Sequence, residues 1–206
     1  MSQAIQRKTT FADYLNFEDR APDKHEFIDG RVIRMAGASE AHVLIVTNIG
    51  GELHGLLKGT PCRYRGADQK VYIPSLDIAT YPDGVVHCGE AKLMLNASTS
   101  ILLNPTVIFE VLSPSTENYD RKVKFDRYLE IESLREIVFV LQSEYRIELY
   151  TREPGELFRI RIYNTIEHSL RLESLQVEIP LRDIYKDVVM VSGDSSDADL
   201  AFDELP

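Results

Sequence analysis

The sequence predicts one domain of the α/β (α+β) class, and three observations carry that prediction. Leu44, Ile45, Ile49, Leu53, Leu56 and Leu57 recur at helical spacing. Val85-Val86 and Thr106-Val107-Ile108-Phe109 are short β-branched and aromatic runs of the kind that form buried strands. After Ser133 the pattern becomes a series of apolar stretches parted by turns, a meander of antiparallel strands in the C-terminal half. A chain of 206 residues with 44% hydrophobic content is long and apolar enough to close one core. We read residues 1–190 as that domain and 191–206 as an acidic tail expected to be disordered.

The elements follow in order. Thr10-Phe11-Ala12-Asp13 reads as a capping box, with Phe11, Tyr14 and Leu15 the buried face of a short helix. Asp29-Gly30, with apolar residues on both sides, is a two-residue hairpin signal. Glu26 falls on the first strand of that hairpin, where alternation allows an exposed position. Ser39 offers an N-cap to the helix of Leu44 to Leu57, and Gly59 a stop. Gly50-Gly51 in its middle implies a close contact or a weak point. His42 and His54 on this helix read as surface or capping residues rather than ligands. Lys70 to Ile73 and Val85 to Cys88 are strands; Ala91 to Ser100 is mixed and reads as a connecting loop or helical turn. Ser113-Pro114-Ser115-Thr116 ends the next strand and opens a helix, to which Val123, Tyr128, Leu129 and Ile131 lend an apolar face. Ile137 to Leu141, Tyr145 to Tyr150 and Leu157 to Tyr163 form the meander. Val177 to Leu181 closes it, with a short helix to Tyr185.

The chemistry concentrates between Tyr81 and Tyr128. Glu110 interrupts the run Thr106 to Phe109, and a carboxylate in a buried strand is costly unless a charge or metal meets it. Asp83 stands just ahead of Val85-Val86. If the two strands are neighbours, both acids converge, with Lys124 on the following helix. Two acids and a lysine at strand ends make a metal-dependent hydrolytic site. Plainer readings stand beside this one. Pro82-Asp83-Gly84 is also a turn signal, and Lys124 alone would be a solvated helix lysine.

A net charge of −10 argues against an open nucleic-acid surface, but its distribution matters. Asp194, Asp197, Asp199, Asp203 and Glu204 crowd the C-terminus, and without those five the body carries −5. Lys58, Arg63, Arg65 and Lys70 form a local basic strip opposed only by Asp68. No apolar run approaches membrane-spanning length, so no membrane is expected as a partner. The N-terminus lacks an apolar signal region, and Cys62 and Cys88 make neither a disulfide framework nor a metal spacing. The default expectation is a reduced, cytoplasmic protein.

Assembled, these residues resemble a bacterial family of candidate restriction endonucleases, long filed as a domain of unknown function, within the PD-(D/E)xK superfamily. The resemblance runs from Thr10 to about Val188. It rests on Glu26-Phe27-Ile28-Asp29-Gly30, Ser39 with His42, Asp68-Gln69-Lys70, Tyr81-Pro82-Asp83, Phe109 to Thr116, and Tyr119-Asp120-Arg121 with Lys124 and Tyr128. It implies a restriction-endonuclease-like mixed central sheet flanked by helices. It also implies that Asp83 and Glu110 bind Mg²⁺ or Mn²⁺, and that a lysine stabilises charge at phosphorus. The triplet Glu110-Val111-Leu112 departs from the superfamily pattern, with leucine in the lysine's place. Either Lys124 supplies the ammonium from the next helix or catalysis is impaired. Asp120, Lys124 and Tyr128 share an i, i+4 face, whereas Lys122 lies roughly 200° away.

The reading is therefore a Mg²⁺-dependent endonuclease acting on DNA, with catalytic Asp83, Glu110 and Lys124 and with Glu26 as an accessory acid. Lys70 is a further candidate to face the same cleft. A homodimer would place two such sites on the two strands. The rival is a catalytically inactive nucleic-acid- or partner-binding protein that keeps the fold. Glycoside hydrolysis by the paired acids is disfavoured, because the chain has no tryptophan to build a sugar platform.

Overall fold

The computed structural model describes residues 8–95, 100–113, 121, 124–155 and 157–190. The first elements form as their local chemistry dictates. Helix α1 (Phe11–Glu18) carries the full capping box between Thr10 and Asp13, and Tyr14 on its inner face is completely buried. Strands β1 (His25–Ile28) and β2 (Arg31–Arg34) pair antiparallel around Asp29 (φ 55°) and Gly30 (φ 78°). Two successive positive φ values are what a twisted two-residue hairpin demands. Helix α2 (Glu40–Leu56) starts at Ser39, whose hydroxyl accepts from the His42 backbone N–H.

Strands β3 (Cys62–Gly66), β4 (Lys70–Ile73), β5 (Ile78–Thr80) and β6 (Gly84–Cys88) follow. A hairpin of β7 (Leu93–Leu95) and β8 (Ser100–Leu102) occupies much of the stretch expected to be a loop. Leu93 and Leu95 are exposed, so this hairpin leaves no buried alternation to read. Strand β9 (Val107–Leu112) is buried along its whole length. The expected helix opening at Ser113 to Thr116 lies largely outside the described residues. The chain is helical at Lys124 and continues as α3 (Phe125–Tyr128). Strands β10 (Glu136–Leu141), β11 (Ile147–Glu153) and β12 (Leu157–Tyr163) form the meander. The β13 (Ser169–Leu172) and β14 (Val177–Pro180) ribbon and the short α4 (Leu181–Ile184) complete the order. The acidic tail is outside the described residues.

The strands form two mixed six-stranded sheets and the separate ribbon. One sheet runs β2-β1-β5-β4-β8-β7 and the other β12-β11-β10-β9-β6-β3. In the second, β9 pairs parallel with β10 and antiparallel with β6, so the Glu110 strand lies in the interior of the sheet. Its two faces bury different sets of residues, as period-two alternation requires. Phe109 and Val111 face Ile45, Ile49 and Leu53 of α2. Ile108 and Leu112 face the other way, toward Ile28, Val71, Ile73 and Ile78 of the first sheet and Tyr128 of α3. The region between the two sheets is thus a second core. Each large apolar side chain fully buried there is worth roughly 1.5–3 kcal/mol.

Two expectations are corrected here. Lys70 is not part of a basic surface strip, nor does it lie with Glu110. It is 1% exposed, with Nζ 4.7 Å from the Tyr14 ring centre and 5.2 Å from that of Tyr81. Among the described residues Nζ has no hydrogen-bond partner, and burial lowers its pKa. Cys62 and Cys88 are joined in a disulfide. They are 26 residues apart in sequence, but the β3–β6 register sets them directly opposite each other. Their spacing along the chain carried no sign of this, and the reduced pair expected from sequence is not what the fold contains.

Candidate active site

Strand alternation sends Glu110 to the same side as Ile108 and Leu112, into the region between the sheets. The side chain is 3% exposed there. Such a carboxylate must be met by donors, and it is. The Tyr128 hydroxyl donates to Oε1 at 2.5 Å, and Lys124 Nζ lies 3.3 Å from Oε2 and 3.4 Å from Oε1. Both donors come from one helical stretch, with Lys124 and Tyr128 one turn apart on a shared face. Burial, then the Glu110 charge, push the Tyr128 phenol far above its ordinary value. It therefore remains a neutral donor to the carboxylate.

Glu26 reaches the same ammonium from the opposite sheet, its Oε1 3.5 Å from Lys124 Nζ. It is 6% exposed, not on a solvated strand face as alternation allowed. The Thr80 hydroxyl donates to Oε1, and the Tyr81 N–H donates to it at 3.4 Å. Lys124 thus bridges two buried carboxylates, one from each sheet. That arrangement offsets the burial cost of both acids, and removing one partner of such a cluster is costly.

Asp83 stands one residue before β6. Continuing the Gly84–Phe109 register by a step sets it opposite Glu110. Its carboxylate has partners of its own. Oδ2 accepts from the Val111 N–H at 2.7 Å, and Oδ1 lies 3.0 Å from His42 Nε2. His42, read from sequence as a surface or capping residue, is instead held against Asp83, 20% exposed. The pairing of Ser39 with His42 three residues on, at the start of an apolar helix, was the available sign. Tyr64 closes the remaining side. A Cβ at Gly84 would lie 2.8 Å from its hydroxyl, and one at Gly50 would lie 3.0 Å from its ring. Burial, then the Asp83 charge, raise the Tyr64 pKa to about 12. Gly50 is therefore the close approach expected of the glycine pair, while a Cβ at Gly51 meets nothing.

Among the described residues, no group of three or more His, Cys, Asp or Glu side chains is arranged to hold a metal ion. A Mg²⁺ ion keeps several waters and takes only one or two carboxylates from a protein. Asp83, one residue ahead of β6, and Glu110 in β9 are two hard oxygen donors of that kind. No helix among the described residues is long and apolar enough to cross a membrane.

Two six-stranded mixed sheets with few helices, meeting over a buried acid–lysine–tyrosine cluster, make up a mixed α+β fold. A solved structure shares it: that of "a putative nuclease belonging to DUF820" from Anabaena variabilis. It matches with a TM-score of 0.67 over 85% of this chain and 97% of its own, at 14% identity. The chain belongs to the Uma2 family, described as "Putative restriction endonuclease", whose model matches residues 11–183. It is also similar to two Synechocystis proteins. Uncharacterized protein slr1290 is 31% identical over 174 residues, covering 84% of this chain and 90% of the relative. Uncharacterized protein sll1609 is 33% identical over 152 residues, covering 74% and 85% respectively.

Proposed function

We propose that the chain is a metal-dependent endonuclease hydrolysing phosphodiester bonds of DNA, with Asp83 and Glu110 holding Mg²⁺ (or Mn²⁺). The observation that carries this reading is Lys124. Its ammonium, 14 residues beyond Glu110 in the chain, lies against that carboxylate and against Glu26. This is where a lysine displaced from the triplet position would be needed. Leu112, at the triplet position, is 2% exposed and packed among Ile108, Phe139 and Leu141. The family's description as a restriction endonuclease supports DNA as the substrate, and the likeness to the Anabaena nuclease supports nuclease chemistry.

The metal, once bound, would act as a Lewis acid on the scissile phosphate and acidify the attacking water. The chain's own residues set up the rest. Lys124 offers positive charge where negative charge develops in the transition state. Tyr128 fixes the rotamer of Glu110 and keeps one of its oxygens hydrogen-bonded. Glu26 is an accessory acid that holds Lys124 from the far sheet, with Thr80 and Tyr81 fixing its own carboxylate.

The test is nicking of supercoiled plasmid with Mg²⁺ or Mn²⁺. The wild-type chain should nick, and Glu110→Ala and Asp83→Asn should abolish it. Nicking that survives Glu110→Ala removes Glu110 from the mechanism. Lys124→Ala should cost far more than Lys122→Ala, and equal losses would end the displaced-lysine idea. The departure at Leu112 favours one other reading, an inactive nucleic-acid- or partner-binding protein with the same fold. Calorimetry separates the two, since a retired site should bind no Mn²⁺ in the micromolar-to-millimolar range.

A further inference from the structure

Asp83 sits where its strand has run out. The β6–β9 ladder ends at the Gly84–Phe109 pair, and a side chain one residue further has no ladder to hold its direction. Both of its oxygens are nevertheless engaged, by the Val111 N–H and by His42. The imidazole arrives on a secured element. Its own backbone N–H donates to Ser39 Oγ at 3.2 Å, and the Ser39 hydroxyl in turn donates to Gln142 Oε1, just past the end of β10. A connected path therefore runs from the end of β10, through the first turn of α2, to the Asp83 carboxylate. His42 Nε2 lies 3.0 Å from Asp83 Oδ1, and Tyr64 is the other titratable side chain that feels the Asp83 charge.

We infer that His42 is a positioning residue: it orients the Asp83 carboxylate, with Val111 holding the other oxygen, so that Asp83 is fixed before any metal or substrate arrives. Tyr64 stands nearby, its ring filling the notches left by Gly50 and Gly84 and its pKa raised in part by the Asp83 charge. The consequence for metal binding rests on the function proposed above, whereas the orientation of Asp83 does not. A donor that fixes a metal-binding side chain typically accounts for 10–100-fold in metal affinity.

The experiment uses the full chain, isotope-labelled, without metal and then titrated with MnCl₂. Amide hydrogen exchange at Val111 reports the Asp83 contact directly, and Val140, which pairs with Val111 on β10, is the control. In His42→Ala, exchange at Val111 should quicken at least about tenfold with Val140 unchanged, and Mn²⁺ should bind about tenfold or more weaker. His42→Gln, whose side-chain amide nitrogen can stand near the Nε2 position, should restore Val111 protection and most of the affinity. Val111 exchange unchanged in His42→Ala, or equally fast in both variants, overturns the inference. A wild-type chain that binds no Mn²⁺, with Val111 exchange still dependent on His42, would sink the metal-dependent function and leave the positioning role standing.

Discussion

Tyr128→Phe isolates one hydrogen bond at the centre of the site. The ring is 1% exposed and is retained, so the apolar packing against the second core is unchanged. What disappears is a 2.5 Å donor to Glu110, itself 3% exposed. A hydrogen bond to a charged group contributes roughly 1.5–3 kcal/mol, and leaving a buried carboxylate one donor short exacts that in full. In a protein of this size each kcal/mol moves the melting temperature by roughly 2–4 °C, so a drop of about 3–12 °C is expected. Differential scanning calorimetry at neutral pH measures it, and a urea midpoint taken in parallel should fall with no change in slope. The same variant should slow metal-dependent nicking, because Glu110 loses the group that sets its rotamer. A melting temperature within about 1 °C of wild type would mean that the contact supplies no net stabilisation, and the account of how Glu110 tolerates burial would be wrong.

Three other outcomes follow from the same geometry. Burial raises the phenols of Tyr14, Tyr81, Tyr128 and Tyr185 above their ordinary value, while the unfolded chain ionises near pH 10. Above that pH the unfolded state has lost protons that the folded state keeps. Stability present below pH 10 is thus lost as pH rises, at about 1.4 kcal/mol per pH unit for each such tyrosine. Phenolate absorbance from these residues should appear only with a cooperative alkaline unfolding step, and smooth titration in a folded chain would contradict it. Reducing the Cys62–Cys88 bond, which closes a loop of 26-residue separation, should cost about 3–4 kcal/mol by chain entropy. An unchanged thermal melt with and without dithiothreitol, with both thiols alkylated in the folded protein, would refute the bond. Gly84→Ala should destabilise by roughly 1–3 kcal/mol, because its methyl would meet Tyr64 at 2.8–2.9 Å, and a stability equal to wild type would show the ring free to move.

The features legible in the sequence were those whose causes are local. The Thr10–Asp13 box, the Asp29-Gly30 turn and the Ser39 cap each satisfy backbone groups within a few residues, so their chemistry sits in consecutive letters. Glu110 was legible for a different reason. A lone acid inside an apolar strand has few explanations, and its burial between Tyr128 and Lys124 is one of them. Glu26 looked ordinary because strand alternation permits a polar residue there. Only the packing of the first sheet onto the second turns that position inward. His42 and the cysteine pair depended on contacts between distant segments, α2 with the mouth of β6 in one case and the β3–β6 register in the other. No periodicity encodes either. Lys70 was misplaced on the same account, since its neighbours Tyr14 and Tyr81 lie on separate elements.

Glu26, Glu110 and Tyr128 meet only after both sheets have closed on each other, and the chain between them includes the other five strands of the first sheet and three of the six strands of the second. During synthesis, therefore, no nascent segment that stops short of α3 can hold the cluster together, and no fragment made by a cut within that span keeps it. A cluster assembled from such distant contributions is latent by construction: it exists only once both sheets have closed over it.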